Sequence, residues 1–357
     1  MIIKTYLFTS LTAAIAVSFL LLFLSCSQGK QAIGHGIQKD GQYDSEFPSQ
    51  NTSAPLEQLT KTVRRISSIA FYEGFLFSKE SKTTLPEIRQ GMAQEKSYRK
   101  IAFNNPASGT ATTIFMQGKK IAVLTCAHVV NFPDTIITYF KSDEGDSVSY
   151  LESFSLKRKQ NNFLIDMAEG FGFEVFAIDE KRDLAVLGKE LIFPPSKKIP
   201  VFNFKIGKAD DLKWGSFVYI VGWPKGHQMI TSGLVSSPNR DKEHSFLIDA
   251  LFNRGFSGGL VLAIRDGVPN FELVGIVSSV SATFEYILTP EKGVTVSLYG
   301  PQLPYDNDIF VKLDKKIDYG VTFGISVESV LDFLNMNREI FISRGYDPGA
   351  FFKQETF

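Results

Sequence analysis

Short apolar runs separated by turn residues dominate the chain from Leu56 onward. TATTIFM, KIAVLTCAHVV, DTIITYF, EVFAI, LAVLG, SFVYIVGW, LVLAI and ELVGIVSSV follow one another between residues 110 and 280. Most are too short for helices, and β-branched and aromatic side chains fill them, so the pattern predicts an all-β sandwich or barrel rather than βαβ units. Upstream, LEQLTKTVRRISSIAFYEGFLF opens with a helical turn and passes into a β-rich run ending near Phe77. Residues 78–100 are charged and predict a surface excursion, and the weakly patterned stretches Lys141 to Gly172 and Ala282 to Ile317 predict insertions. A helical period enters only near the end, in SVESVLDFLNMNREIF. There Val327, Val330, Leu331, Phe333, Leu334 and Ile340 make one stripe over 326–341, with Ser326 as its cap and Glu328 in its first turn. Residues 346–357 read as a tail, and no internal repeat is visible.

Before Leu56 the pattern is different. Residues 27 to about 56 are polar and rich in Ser, Gln and Gly, which predicts a flexible tether with His35 as a solvated linker residue. Ahead of them Lys4 precedes a largely apolar run from Tyr6 to Leu24 that ends Ser25-Cys26. A small residue directly before a cysteine resembles a bacterial lipoprotein signal, cut before Cys26 and lipidated there. Phe23 departs from the aliphatic residue usual three places before that cysteine. An ordinary signal peptide and a retained anchor are the other readings. All three place the remaining chain outside the cytoplasm, in the cell envelope facing the periplasm or exterior.

Composition narrows the chemistry. The 357 residues suffice for one large domain or two small ones. With 44% apolar and 21% charged residues and a formal net charge of zero, the chain resembles an ordinary globular protein and gives no global reason to expect a nucleic-acid partner. Only two cysteines, Cys26 and Cys126, and four histidines occur, which excludes a disulfide framework and a Cys/His zinc cluster. Cys126 is expected to be a buried small hydrophobe. His227 and His244 are expected in second-barrel loops with structural or surface roles.

The stretch with the densest chemical signal is DALFNRGFSGGLVL, Asp249 to Leu262. Ser257 lies between Gly255 and the pair Gly258-Gly259, and such glycines let a loop present a hydroxyl and backbone N–H groups to one carbonyl. A serine nucleophile needs a base, and His128 closes an apolar strand in LTCAHVV. The base needs an orienting acid, and Asp183 enters an apolar strand in RDLAVL, where burial demands a partner. The segment Gly255-Phe256-Ser257-Gly258-Gly259 also fits the G-x-S-x-G elbow of α/β-hydrolases. That fold places its histidine after the serine, and no histidine follows Ser257.

Together these residues resemble the trypsin-like serine proteases, and most closely the HtrA-type (high-temperature-requirement) envelope proteases. Ser108-Gly109-Thr110 resembles the glycine turn into the first barrel, TCAHVV the histidine motif and DLAVL the aspartate motif. IGKADDLKWGSFVYIVGWP with MITSGLVSS resembles the entry to the second barrel, LIDALFNRGFSGG the serine loop and ELVGIVSS the substrate-pairing strand. GVTFGISVESVLDFL resembles the closing strand and helix, so the likeness runs from about residue 60 to 340.

The resemblance implies an all-β domain over residues 57–345, with two perpendicular six-stranded barrels at about 57–200 and 201–325 and the helix after them. It implies His128 as base, Asp183 as orienting acid, Ser257 as nucleophile, and the N–H groups of Gly255 and Ser257 as the oxyanion hole, with Arg254 and Phe256 shaping that loop. Leu251 would lie at the base of the primary pocket with Ile276, Val277 and Ser278 on its wall, favouring small or aliphatic residues before the scissile bond. No metal or organic cofactor is implied; the partners are protein or peptide substrates and, through Cys26, a membrane. Homotrimers built on aromatic N-terminal contacts occur in the family, and Phe71-Tyr72 with Phe75 to Phe77 is compatible with one. Two departures stand out: Phe256 replaces the usual Asp or Asn, and Leu260 a small residue or Pro. The family's common PDZ domain is not expected after the terminal helix. Phe256 and the long insertions motivate a rival, a protease fold used as a binding or chaperone module with a resting oxyanion loop.

Overall fold

The computed structural model describes residues 39–140, 149–165, 167, 169–251, 253–290 and 309–353. The expected signal and Cys26 lie outside them. Among the described residues no helix is long and apolar enough to cross a membrane.

A helix, α1 (Ser53–Thr60), leads into the first sheet. Its strands are β1 (Val63–Leu76), β2 (Arg99–Gln117), β3 (Lys120–Thr125), β4 (Thr135–Tyr139), β5 (Leu151–Leu164), β6 (Glu174–Asp179) and β7 (Leu184–Glu190). They pair antiparallel in the order β4-β5-β1-β2-β3-β7-β6. The second sheet holds β8 (Lys205–Ile206), β9 (Phe217–Gly222), β10 (Met229–Ser237), β11 (Phe246–Ile248), β12 (Leu260–Ile264), β13 (Phe271–Pro290) and β14 (Ile309–Ser326). Because β12 pairs with both β9 and β13, six of these strands close into a barrel, and the short β8 adds parallel to β13. The fold is mostly β, as the strand pattern predicts, and trypsin-like, as the resemblance implies, with one closed barrel and one curled half-barrel sheet.

Side-chain alternation explains why β9 and β12 read as unbroken apolar runs. Val218 and Ile220 of β9, with Val261 and Ala263 of β12, point into the barrel among Val235, Phe246, Ile248 and Val277. Their neighbours Phe217, Tyr219, Val221, Leu260, Leu262 and Ile264 point out, into a larger core shared with Ile121, Leu124 and Leu187 of the first sheet. Both faces are buried, so polar alternation would leave unpaired groups inside. Each large side chain so buried contributes roughly 1.5–3 kcal/mol.

The structure moves three boundaries. Residues 41–47, which composition placed in the tether, lie on the second barrel: Tyr43 is 7% exposed, donates to Glu272 Oε2 at 2.9 Å and stacks under Arg265. The presumed insertion from Lys141 contains β5, which sits inside the first sheet between β4 and β1. The presumed tail packs too. Phe351 and Tyr346 meet Phe115 edge-on or tilted, and the Phe352 N–H donates to the Ile114 carbonyl at 2.8 Å. The C-terminal helix is found at Val327–Met336, capped by Ser326 Oγ accepting from the Ser329 N–H, and a second helix runs Arg338–Ser343.

Candidate active site

β3 and β7 are antiparallel neighbours with Thr125 opposite Ala185, so the residues just beyond β3 meet those just before β7. That register brings His128, on the single turn Ala127–Val130, to Asp183 across 55 positions of sequence. The Ala127 N–H donates to the Asp183 carbonyl at 3.1 Å, and the His128 N–H donates to Asp183 Oδ1 at 2.9 Å. Asp183 adopts φ +57°, a left-handed conformation that Asp tolerates better than most residues. This single kinked residue turns the carboxylate back toward the imidazole.

Ser257 comes from the other sheet, on the turn before β12. Gly258 has φ +85°, and a Cβ there would lie 2.1 Å from the Thr110 carbonyl oxygen; Gly255 has φ +106°, and its Cβ would lie 2.5 Å from the Trp223 oxygen. Both positions therefore exclude side chains. The turn's carbonyls are all held from behind: Arg254 by the Lys225 N–H (2.9 Å), Gly255 by Thr110 Oγ1 (2.6 Å), Phe256 by the Gly259 N–H (2.6 Å) and Ser257 by the Thr110 N–H (2.8 Å). A trans peptide points its N–H opposite to the preceding C=O. Fixing the Arg254 carbonyl on Lys225 thus turns the Gly255 N–H the other way. Among the described residues, the N–H groups of Gly255 and Ser257 have no acceptor.

The three side chains form one chain of hydrogen bonds. His128 Nε2 lies 2.9 Å from Ser257 Oγ, while Nδ1 lies 2.8 Å from Asp183 Oδ2 and 3.0 Å from Oδ1. Ser278 Oγ donates to Asp183 Oδ2 at 2.5 Å. Burial alone would push the Asp183 carboxyl up, but hydrogen bonds from His128 and Ser278 outweigh it and hold the group below the usual carboxylate range. An anionic acceptor at Nδ1 keeps the proton there and leaves Nε2 free to accept from Ser257. Cys126, also near, is fully buried and donates from Sγ to the Val277 carbonyl at 3.3 Å; burial pushes its thiol well up. The Cys126, His128 and Asp183 donor atoms lie within 4.8 Å of one another, yet each is committed to another partner and the thiol is protonated.

Other expectations change. Leu251 is 67% exposed rather than enclosed at a pocket base. Ile276 and Val277 are fully buried, and the Val277 backbone is spent on Gly258 and Gly259, so they belong to the core rather than to an open wall. Ser278, expected on that wall, instead holds Asp183. Phe256 does not crowd the oxyanion position: its ring is buried in the second-barrel core against Gly222. Thr110 is the residue sequence reasoning passed over, treated only as part of a glycine turn. Its place at the head of TATTIFM gave the one available signal.

Residues 109–276 match the trypsin-like peptidase domain. The match spans a little under half of the chain and includes His128, Asp183, Gly255 and Ser257; Ser278 lies beyond it. It supports serine peptidase chemistry for this trypsin-like domain. A search of curated proteins returns no match.

Proposed function

We propose that the protein is a membrane-tethered, envelope-facing serine endopeptidase of HtrA type, acting on envelope proteins through His128, Asp183 and Ser257. The observation that carries this reading is Ser257 Oγ at 2.9 Å from His128 Nε2 on a turn whose Gly255 and Ser257 N–H groups are unengaged among the described residues. Ser257 attacks the peptide carbonyl carbon, and His128 Nε2 takes the hydroxyl proton. The carbonyl oxygen becomes an oxyanion received by the two N–H groups, which are fixed before the reaction begins. His128 then returns the proton to the leaving amine, giving an acyl-enzyme that water hydrolyses by the same proton path. Asp183 holds the tautomer and offsets the charge of the imidazolium.

The binding-module rival rests on a resting oxyanion loop, and the orientation of the Arg254–Gly255 peptide runs against it. Envelope localisation and lipidation rest on the sequence of residues 4–26. The direct test is hydrolysis of unfolded casein by the full-length chain in detergent, beside Ser257→Ala. Activity that falls to background in the variant supports the reading; equal activity in both, or none in either, counts against it.

A further inference from the structure

The turn that carries Ser257 is clamped to the first sheet by one residue, Thr110 of β2, which is fully buried and uses both its hydroxyl and its backbone. Its four polar contacts run in fixed directions. The Trp223 N–H donates to Thr110 Oγ1 at 2.9 Å, so that hydroxyl must send its own proton elsewhere, and the acceptor in reach is the Gly255 carbonyl at 2.6 Å. The Thr110 N–H donates to the Ser257 carbonyl at 2.8 Å. Thr125 Oγ1 donates to the Thr110 carbonyl at 2.7 Å, which fixes the residue from its far side.

The carbonyls Thr110 holds belong to the two residues whose N–H groups face the reacting carbonyl in the proposed mechanism. The Gly255 carbonyl is the pivot of the turn: with the Arg254 carbonyl held by Lys225, it sets the peptide planes on both sides of the Gly255 Cα, one of which carries the Gly255 N–H. The same hydroxyl bonds the Trp223 N–H, and the Trp223 carbonyl and Pro224 Cα form the wall against which Gly255 packs. One hydroxyl therefore fixes both the oxyanion loop and the surface behind it. Because Thr110 comes from the sheet that supplies His128 and Asp183, it also sets the position of the Ser257 turn relative to the base.

We infer that Thr110 is a positioning residue for catalysis, acting through the Gly255 and Ser257 N–H groups rather than by touching substrate. This rests on the serine-peptidase reading. Removing the hydroxyl frees the Gly255 carbonyl and the Trp223 N–H together, and the buried turn can then recover its hydrogen bonds only by rotating the peptides that shape the oxyanion hole.

The test is inactivation by a fluorophosphonate, whose phosphoryl oxygen takes the place of the oxyanion and which needs no known substrate. Full-length wild type, Thr110→Val and Thr110→Ser are compared for the maximal inactivation rate, the half-saturating concentration and the pH profile. Thr110→Val is expected to lose about 10–100-fold in maximal rate, less than the 10²–10³ of a deleted oxyanion donor. Half-saturation should stay within about twofold and the pH profile should keep its midpoint. Thr110→Ser should restore most of the rate. If Thr110→Val does not fold, Thr110→Ala is read in its place. A folded Thr110→Val or Thr110→Ala that reacts like wild type overturns the inference alone. So does a shifted pH midpoint, which would mean the His128–Asp183 pair had moved instead. A Thr110→Ser variant as slow as Thr110→Val overturns it as well. If wild type itself is not labelled, the peptidase reading fails and this inference fails with it.

Discussion

Ser278 Oγ donates to Asp183 Oδ2 at 2.5 Å, a bond that crosses from the closed barrel to the first sheet at the carboxylate holding His128. The imidazole proposed as the base is thereby oriented by both sheets at once. A hydrogen bond to a charged group is worth about 1.5–3 kcal/mol. Ser278→Ala is expected to lower the rate of casein hydrolysis about tenfold while leaving fluorophosphonate labelling at Ser257 detectable.

Asp183 carries more. Asp183→Asn leaves a side chain of the same shape but removes the anion that fixes the proton on Nδ1, and a loss of about 10³–10⁴-fold in kcat is expected. Steady-state kinetics checks this, with KM changing little.

The pH dependence of stability follows from the same carboxylate. Its folded value is below the unfolded value of about 3.9, so its contribution is present above that value and is lost as the pH falls through the folded one. Thermal unfolding between pH 2 and 7 is expected to show an acid limb that is shallower in Asp183→Asn. An identical limb in both proteins would show that other carboxylates govern it.

Gly258→Ala puts a Cβ 2.1 Å from a backbone oxygen at a positive φ, with no flexible side chain to give way. A loss of about 3 kcal/mol or more in stability is expected from urea unfolding, together with loss of activity. Restored activity at wild-type stability would mean the turn is held less tightly than its contacts imply.

Cys126 is fully buried beside the site and its thiol is pushed well above its ordinary range. Iodoacetamide is therefore expected to leave Cys126 unmodified in the native protein and to alkylate it after unfolding, read by peptide mass.

What the chain showed beforehand was what short-range pattern encodes. His128 closes an apolar run while Asp183 and Ser257 each stand just before one, and the structure brings all three within hydrogen-bond reach. The strands were visible because β9 and β12 are apolar on both faces. Pattern failed where long-range pairing decides. Ser278 looked like a wall residue because nothing local tells that its hydroxyl meets Asp183 from another sheet. Polar composition hid the docking of residues 41–47, since Tyr43 is stabilised by a buried network with Glu272 and Arg265 rather than by an apolar stripe. Phe256 looked obstructive because its direction depends on the Gly255 and Gly258 backbone, which sends the ring into the barrel core.

The most direct test of the account is to react the full-length protein with a fluorophosphonate and map the adduct by peptide mass. The account predicts a single adduct on Ser257, absent in Ser257→Ala and strongly slowed in His128→Ala, as the 2.9 Å contact between Ser257 Oγ and His128 Nε2 requires. A wild-type protein that stays unlabelled, or an adduct that persists in Ser257→Ala, would contradict it.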